Sequence, residues 1–235
     1  MTAEEVLAEL QALGSEQTKK TLMRHGAVEP LFGVKIGDMK PLTKKLKGDP
    51  KLVLDLYDTG NSDAMYLAGL LAEPGAMTKA QLRKWAKAAT WHLLRESTVA
   101  GVAAESPVAV ELAEEWITSP KEELATVGWT TYSLCVAVTP DDELDLDRLR
   151  DLLSHCRDDV HTASNRTRYT MNGFVISVGS YVKPLLAEAK KVAKAMGAVS
   201  VNQGDTACEV PLATESIAKV EQMGRVGTKR KSARC

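Results

Sequence analysis

A chain of 235 residues, 44% hydrophobic and only 5% aromatic, can bury a sizeable core as one large domain or two small ones. No apolar run approaches the length that crosses a bilayer. The four cysteines, Cys135, Cys156, Cys208 and Cys235, are scattered without a CxxC pair, and with no visible signal peptide a reducing, cytoplasmic setting is expected. The net charge of −1 is unevenly spread: residues 16–47 carry eight basic and three acidic side chains, 105–159 four and fourteen, and 219–235 six and one, so the two basic stretches can still meet a polyanion.

Thr2 and Glu5 form a capping box ahead of Val6, Leu7, Leu10 and Leu13, which share one helical face. Gly14 ends that helix, and Ser15 caps the next, which runs to Arg24. Leu31-Phe32-Gly33-Val34 leads to a helix start at Gly37-Asp38, with Asp38 placed to accept from the first turn and Pro41 tolerated within it. Lys40, Lys44, Lys45 and Lys47 crowd this helix, the last three near its negative end. Two interpretations fit: a rigid cationic surface for phosphate, or a solvated lysine face. Asp49-Pro50 opens a helix through Tyr57, Asn61 caps one with Met65, Leu67, Leu70 and Leu71, and Thr78 caps residues 80–88.

In residues 90–100, Trp91 offers a flat stacking surface and Glu96 a carboxylate on the same helix. A carboxylate beside an aromatic platform can stabilise a sugar cation or position water, although helix carboxylates commonly just face solvent. Trp85, Trp116 and Trp129 are assigned to the core. Pro107 opens residues 108–117, Pro120 a helix through Val138, and an acidic loop precedes 144–156. Met171, Phe174, Val175, Val178 and Val182 then form an apolar stripe, with Arg168 and Asn172 beside it at i, i+4. That pair suits a phosphate or sugar oxygen, or a tie between two helices. Pro184 opens 185–196, and Val199-Ser200-Val201 has room for a short extended piece.

From about Gly197 the composition shifts to Gly, Ser, Thr and Asn, ending in the cluster Lys229-Arg230-Lys231. The domain expectation is a helical body over 1–196 and an irregular basic arm over 197–235. Roughly ten to twelve helices with short turns make the fold class all-α, and the rhythm of helix, turn, helix points to an α-solenoid of HEAT-like pairs. His25, His92, His155 and His161 have no metal-ligand spacing, and Cys156 lies five residues from His161. There is no GxxxxGK[ST], GxGxxG or GxSxG pattern, so ordinary nucleotide-dependent or hydrolase chemistry is disfavoured.

Phe32-Gly33-Val34-Lys35-Ile36-Gly37-Asp38-Met39 with its lysine-rich helix resembles the entry segment of the AlkD-like DNA alkylation repair family. So do Leu56-Tyr57-Asp58, Asp63-Ala64-Met65-Tyr66-Leu67-Ala68 and Arg168-Tyr169-Thr170-Met171-Asn172-Gly173-Phe174. The resemblance covers most of residues 1–196. It implies a HEAT-like solenoid whose concave basic face holds duplex DNA, no cofactor, and removal of N3- or N7-alkylated purines by glycosidic hydrolysis.

The family's glycosylases carry a Trp and, four residues on, a catalytic Asp. Aligned by eye, those positions hold Glu96 and Ala100. A partnering Arg would fall within residues 124–129, which have none, and a late Trp near Phe174. Two functions therefore stay open. One is a DNA-binding protein with Lys40, Lys44, Lys45, Arg168, Asn172, Lys229, Arg230 and Lys231 on DNA, Trp91 and Phe174 against the lesion or sugar, and Glu96 as the carboxylate. The other is a non-catalytic scaffold that takes a protein or nucleic-acid partner in the same groove, its acidic middle suiting a basic protein.

Overall fold

Residues 1–234 are described by the computed structural model, and among them the chain forms thirteen α-helices and no strand. The helices divide between two compact units. The first comprises Met1–Pro107, Gln203–Ala207 and Arg234; the second comprises Val108–Asn202 and Cys208–Ala233.

In the first unit the helices are α1 (Ala3–Leu13), α2 (Glu16–Arg24), α3 (Ile36–Leu46), α4 (Pro50–Asp58), α5 (Ser62–Leu71), α6 (Lys79–Ala88) and α7 (Ala100–Ala104). Their starts follow side-chain capping chemistry. Thr2 with Glu5 and Thr78 with Gln81 form complete capping boxes, and Asn61 accepts from the N–H groups of Asp63 and Ala64. Nearly every residue of α5 is buried, which its almost uniformly apolar sequence demands, so α5 forms the centre of the unit. Tyr57 on α4 stacks on Trp85 of α6 at 4.0 Å between ring centroids, and its hydroxyl donates to the Trp85 carbonyl at 2.9 Å.

The second unit holds α8 (Ala109–Ile117), α9 (Glu122–Val138), α10 (Leu146–Asp159), α11 (Asn165–Tyr181), α12 (Leu186–Met196) and α13 (Ala213–Gln222). Its core is built on α9 and α11, with Trp129, Phe174, Val175 and Val178 buried together. Gly128 allows α8 to pass close to α9, since a Cβ there would lie 2.6 Å from the Ile117 nitrogen.

Several local expectations change. Helix α3 begins at Ile36 with Lys35 as an unassisted cap, so Asp38 lies within the first turn and does not cap it, and Pro41 lies inside the helix. Residues 94–99 wind as a π-helix ahead of α7. Residues 199–201 form no strand. The region after 196 is not wholly irregular: it includes α13, whose Ala213 and Ile217 are buried in the core of the second unit. The compact units divide between Pro107 and Val108, and the chain changes unit again at Gln203, at Cys208 and at Arg234.

Candidate nucleic-acid interface

The segment that enters α3 is shaped by one buried carboxylate. Asp63, in the first turn of α5, accepts from the backbone N–H groups of Phe32 (2.6 Å), Gly33 (3.1 Å) and Val34 (2.9 Å). Three charge-assisted bonds hold the loop in one course. Gly33 adopts φ +78°, and a Cβ there would lie 2.4 Å from the Lys19 nitrogen, so only glycine lets α2 approach this closely. The Phe-Gly-Val motif is thus a structural joint that sets where α3 starts.

Helix α3 then separates its two faces. Met39, Leu42 and Leu46 are buried, while Lys35, Lys40, Lys44, Lys45 and Lys47 are exposed. Lys40, Lys44 and Lys47, at i, i+4 and i+7, form one stripe. Among the described residues none of these three has a carboxylate partner. Lys45 differs: its Nζ lies 2.6 Å from Glu9 Oε1 on α1. Lys44 and Lys47 line an open groove of about 770 Å³ with residues 70–76 and Arg234. Arg234 itself donates to the Gly69 and Ala72 carbonyls at 3.1 and 2.7 Å and pairs with Glu105 at 3.0 Å. It closes the C-terminal end of α5, and Glu105 balances its charge.

Residues 90–100 present a closed surface. Trp91 is buried, Glu96 is half-buried within the π-helix, and Ala100 is 0% exposed. The Arg95 guanidinium donates back to the Ala89 and Thr90 carbonyls. Gly69 of α5 packs against this turn, for a Cβ there would lie 2.5 Å from Thr98 Cγ2. The position that the family resemblance assigns to a catalytic Asp therefore holds a core methyl group.

The residues predicted on α11 and the tail are occupied structurally. Phe174 is 0% exposed, edge-on to Trp129 and Tyr132, and offers no face to a ligand. Asn172 is buried and donates to the Pro211 carbonyl at 2.9 Å. Arg168 donates to the Ala163 and Ser200 carbonyls at 2.8 and 3.2 Å. Both tie the segment after α12 to α11, joining a helix to irregular chain where the alternative interpretation joins two helices. Lys229 is bound to Asp141 at 2.8 Å and to the Val136 carbonyl in the last turn of α9 at 2.9 Å. Arg230 donates its backbone N–H to the Ala137 carbonyl at 2.7 Å, and Lys231 is exposed. The tail thus crosses the C-terminal end of α9, where lysine and backbone N–H groups satisfy carbonyls that the helix end leaves open.

The acidic stretch has an internal task as well. Glu114 on α8 accepts two bonds from Arg148 on α10, both 2.7 Å, and the hydroxyl of Tyr132 on α9. The Arg148 guanidinium holds the Glu114 carboxyl below its usual range, while burial, aided by Glu114, pushes the Tyr132 phenol up. Burial pushes the Cys135 thiol up to about 12, which makes it an inert core residue. Among the described residues no group of His, Cys, Asp and Glu is arranged to hold a metal.

Sequence reasoning passed over Lys47 as a site residue and gave no role to Lys20 and Arg24 of α2, both exposed. Spacing alone would have placed Lys47 with Lys40 and Lys44; nothing in the sequence marks α2.

Comparison with known proteins gives consistent results. Residues 6–203 match the family model described as DNA alkylation repair enzyme. The uncharacterized protein Lmo0209 of Listeria monocytogenes is 36% identical over 225 residues, covering 93% of this chain and 97% of the relative. The uncharacterized protein Lin0241 of Listeria innocua is 35% identical over the same length and coverage. A solved structure superposes with a TM-score of 0.93 at 38% identity, covering 100% of both chains. It is described as a new family of proteins related to the HEAT-like repeat DNA glycosylases, with affinity for branched DNA structures. The all-helical chain thus matches a HEAT-like repeat fold.

Proposed function

The chain belongs to the DNA alkylation repair enzyme family, and on that premise we propose that it binds branched DNA through the lysine stripe of α3 and releases no base from it. One observation carries this reading: Lys40, Lys44 and Lys47 share an exposed face with no carboxylate to neutralise them. A rigid helix that presents three unpaired ammonium groups is a phosphate-contacting surface, and such contacts position a protein on DNA without reading its sequence. The affinity for branched DNA ascribed to the solved relative supports the choice of branched over plain duplex DNA.

The absence of excision rests on the core. Hydrolysis of an alkylated purine needs a group that stabilises the developing sugar cation. Ala100 is buried and carries none. A second reading, excision assisted by Glu96, draws on the π-helical turn that carries this carboxylate, because such turns recur at functional sites.

One paired assay separates the readings: binding to a four-way junction, and base release from N7-methylated duplex. Junction binding that weakens steeply with salt, with release at the spontaneous rate, is expected. Release above that rate, lost in Glu96→Gln, would establish excision instead. Absence of binding to any DNA would leave the protein-binding scaffold.

A further inference from the structure

Helix α2 is anchored almost entirely by its backbone. None of its nine residues is buried. It is fixed from beneath by the close pass of Gly33 against Lys19, by the Ser15 N–H donating to the Gly33 carbonyl at 3.1 Å, and by a Lys19–Glu29 ion pair at 2.6 Å. The outer side carries Gln17, Lys20, Thr21 and Arg24 at i, i+3, i+4 and i+7, which line an open depression of about 730 Å³ beside Met23. Lys20 and Arg24 have no carboxylate partner among the described residues. The Thr21 hydroxyl donates to the Gln17 carbonyl at 3.0 Å, which leaves an amide, an ammonium and a guanidinium along one line, donor types that hold a nucleic-acid backbone. With Leu22 only half-buried and Met23 exposed, α2 gains little from its own packing, and its exposed cationic row points to an external anionic partner.

The location distinguishes this row from the stripe on α3. Lys19 abuts Gly33, which Asp63 holds at the N-terminal end of α5, whereas Lys44 and Lys47 lie beside residues 70–76 at its other end. Helix α5 has ten residues and is about 15 Å long, so the joint under α2 and the groove beside Lys44 and Lys47 lie at its opposite ends. From the placement of this row on a different helix and from its charge we infer that α2 is a second phosphate-contacting surface, which takes the backbone of a second arm of a branched DNA while α3 holds the first. The inference rests on the DNA-binding reading above and locates the preference for branches in α2.

The test compares the wild-type chain, K20Q/R24Q and K40Q/K44Q by fluorescence anisotropy on a four-way junction and on a linear duplex of equal length, across a salt series. All four positions are exposed, and circular dichroism melts confirm that each variant is folded. K20Q/R24Q is expected to weaken junction binding about tenfold, to reduce its log–log salt slope by about 2, and to change duplex binding less than about twofold. K40Q/K44Q is expected to weaken both. Unchanged junction binding in K20Q/R24Q, or equal loss on the two DNAs, overturns the assignment of α2 while leaving the α3 reading intact. A wild-type chain that binds neither DNA overturns both.

Discussion

Asp63 and Ala100 hold the two positions where a single atom group decides most. Asp63 touches no solvent-facing cation, yet it fixes the loop from which α3 departs. Replacing it with alanine leaves three backbone N–H groups without their acceptor. Asp63→Ala is expected to lower stability by about 3 kcal/mol, read from urea denaturation, because unmet buried donors cost more than a hydrogen bond gains. Ala100 poses the reverse case. Restoring the family's carboxylate by Ala100→Asp places a charge in a fully buried site with no partner designed for it. The variant is expected to lose on the order of 3 kcal/mol and to release no methylated base, as measured by denaturation and by base-release assay. Base release by folded Ala100→Asp would mean that this site opens to DNA.

Elements were more legible in the sequence than side-chain roles. Capping residues act over three or four positions, so Thr2, Ser15, Asn61 and Thr78 marked real helix starts. Side-chain roles depend on partners far along the chain. Nothing local to Asn172 announces the Pro211 carbonyl, 39 residues away, and nothing local to Lys229 announces Asp141. The same holds for Phe174, whose aromatic character fits a stacking platform and a core equally; only the packing of α9 against α11 decides. The π-helix was hidden because its sequence, Leu94-Arg95-Glu96-Ser97-Thr98-Val99, carries no feature foreign to an α-helix.

The clamp that joins α8, α9 and α10 belongs to this scale too. Glu114 is held ionised by Arg148, so its folded value lies below the unfolded reference of 4.5. Its stabilising contribution is complete above that reference and disappears as pH falls through the lowered folded value. Glu114→Gln is expected to cost roughly 2 kcal/mol near neutral pH and to flatten the acid side of the stability profile below the unfolded reference of 4.5. Thermal melts across that range measure it. A profile identical to wild type would show that the clamp contributes nothing through its charge.

At the scale of the molecule, a net charge of −1 hides the chemistry that matters. The acidic segment spends part of its charge internally, as Glu114 with Arg148 and Asp141 with Lys229. The basic tail is likewise committed, through Lys229 and Arg234, to carbonyls at helix ends. The densest exposed cationic rows without carboxylate partners lie on α3 and α2, both in the first unit. Charge segregation was visible in the sequence, but the difference between committed and free lysines was not, because pairing is a property of the folded surface.

The central claim is that the α3 stripe makes the phosphate contacts. Its most direct test is the salt dependence of four-way-junction affinity for the wild-type chain and for K40Q/K44Q/K47Q, whose substituted side chains are all exposed. The prediction is a log–log slope shallower by about 2.7 in the triple variant, about 0.9 for each lost contact. A slope equal to wild type would contradict the claim and remove α3 from the interface.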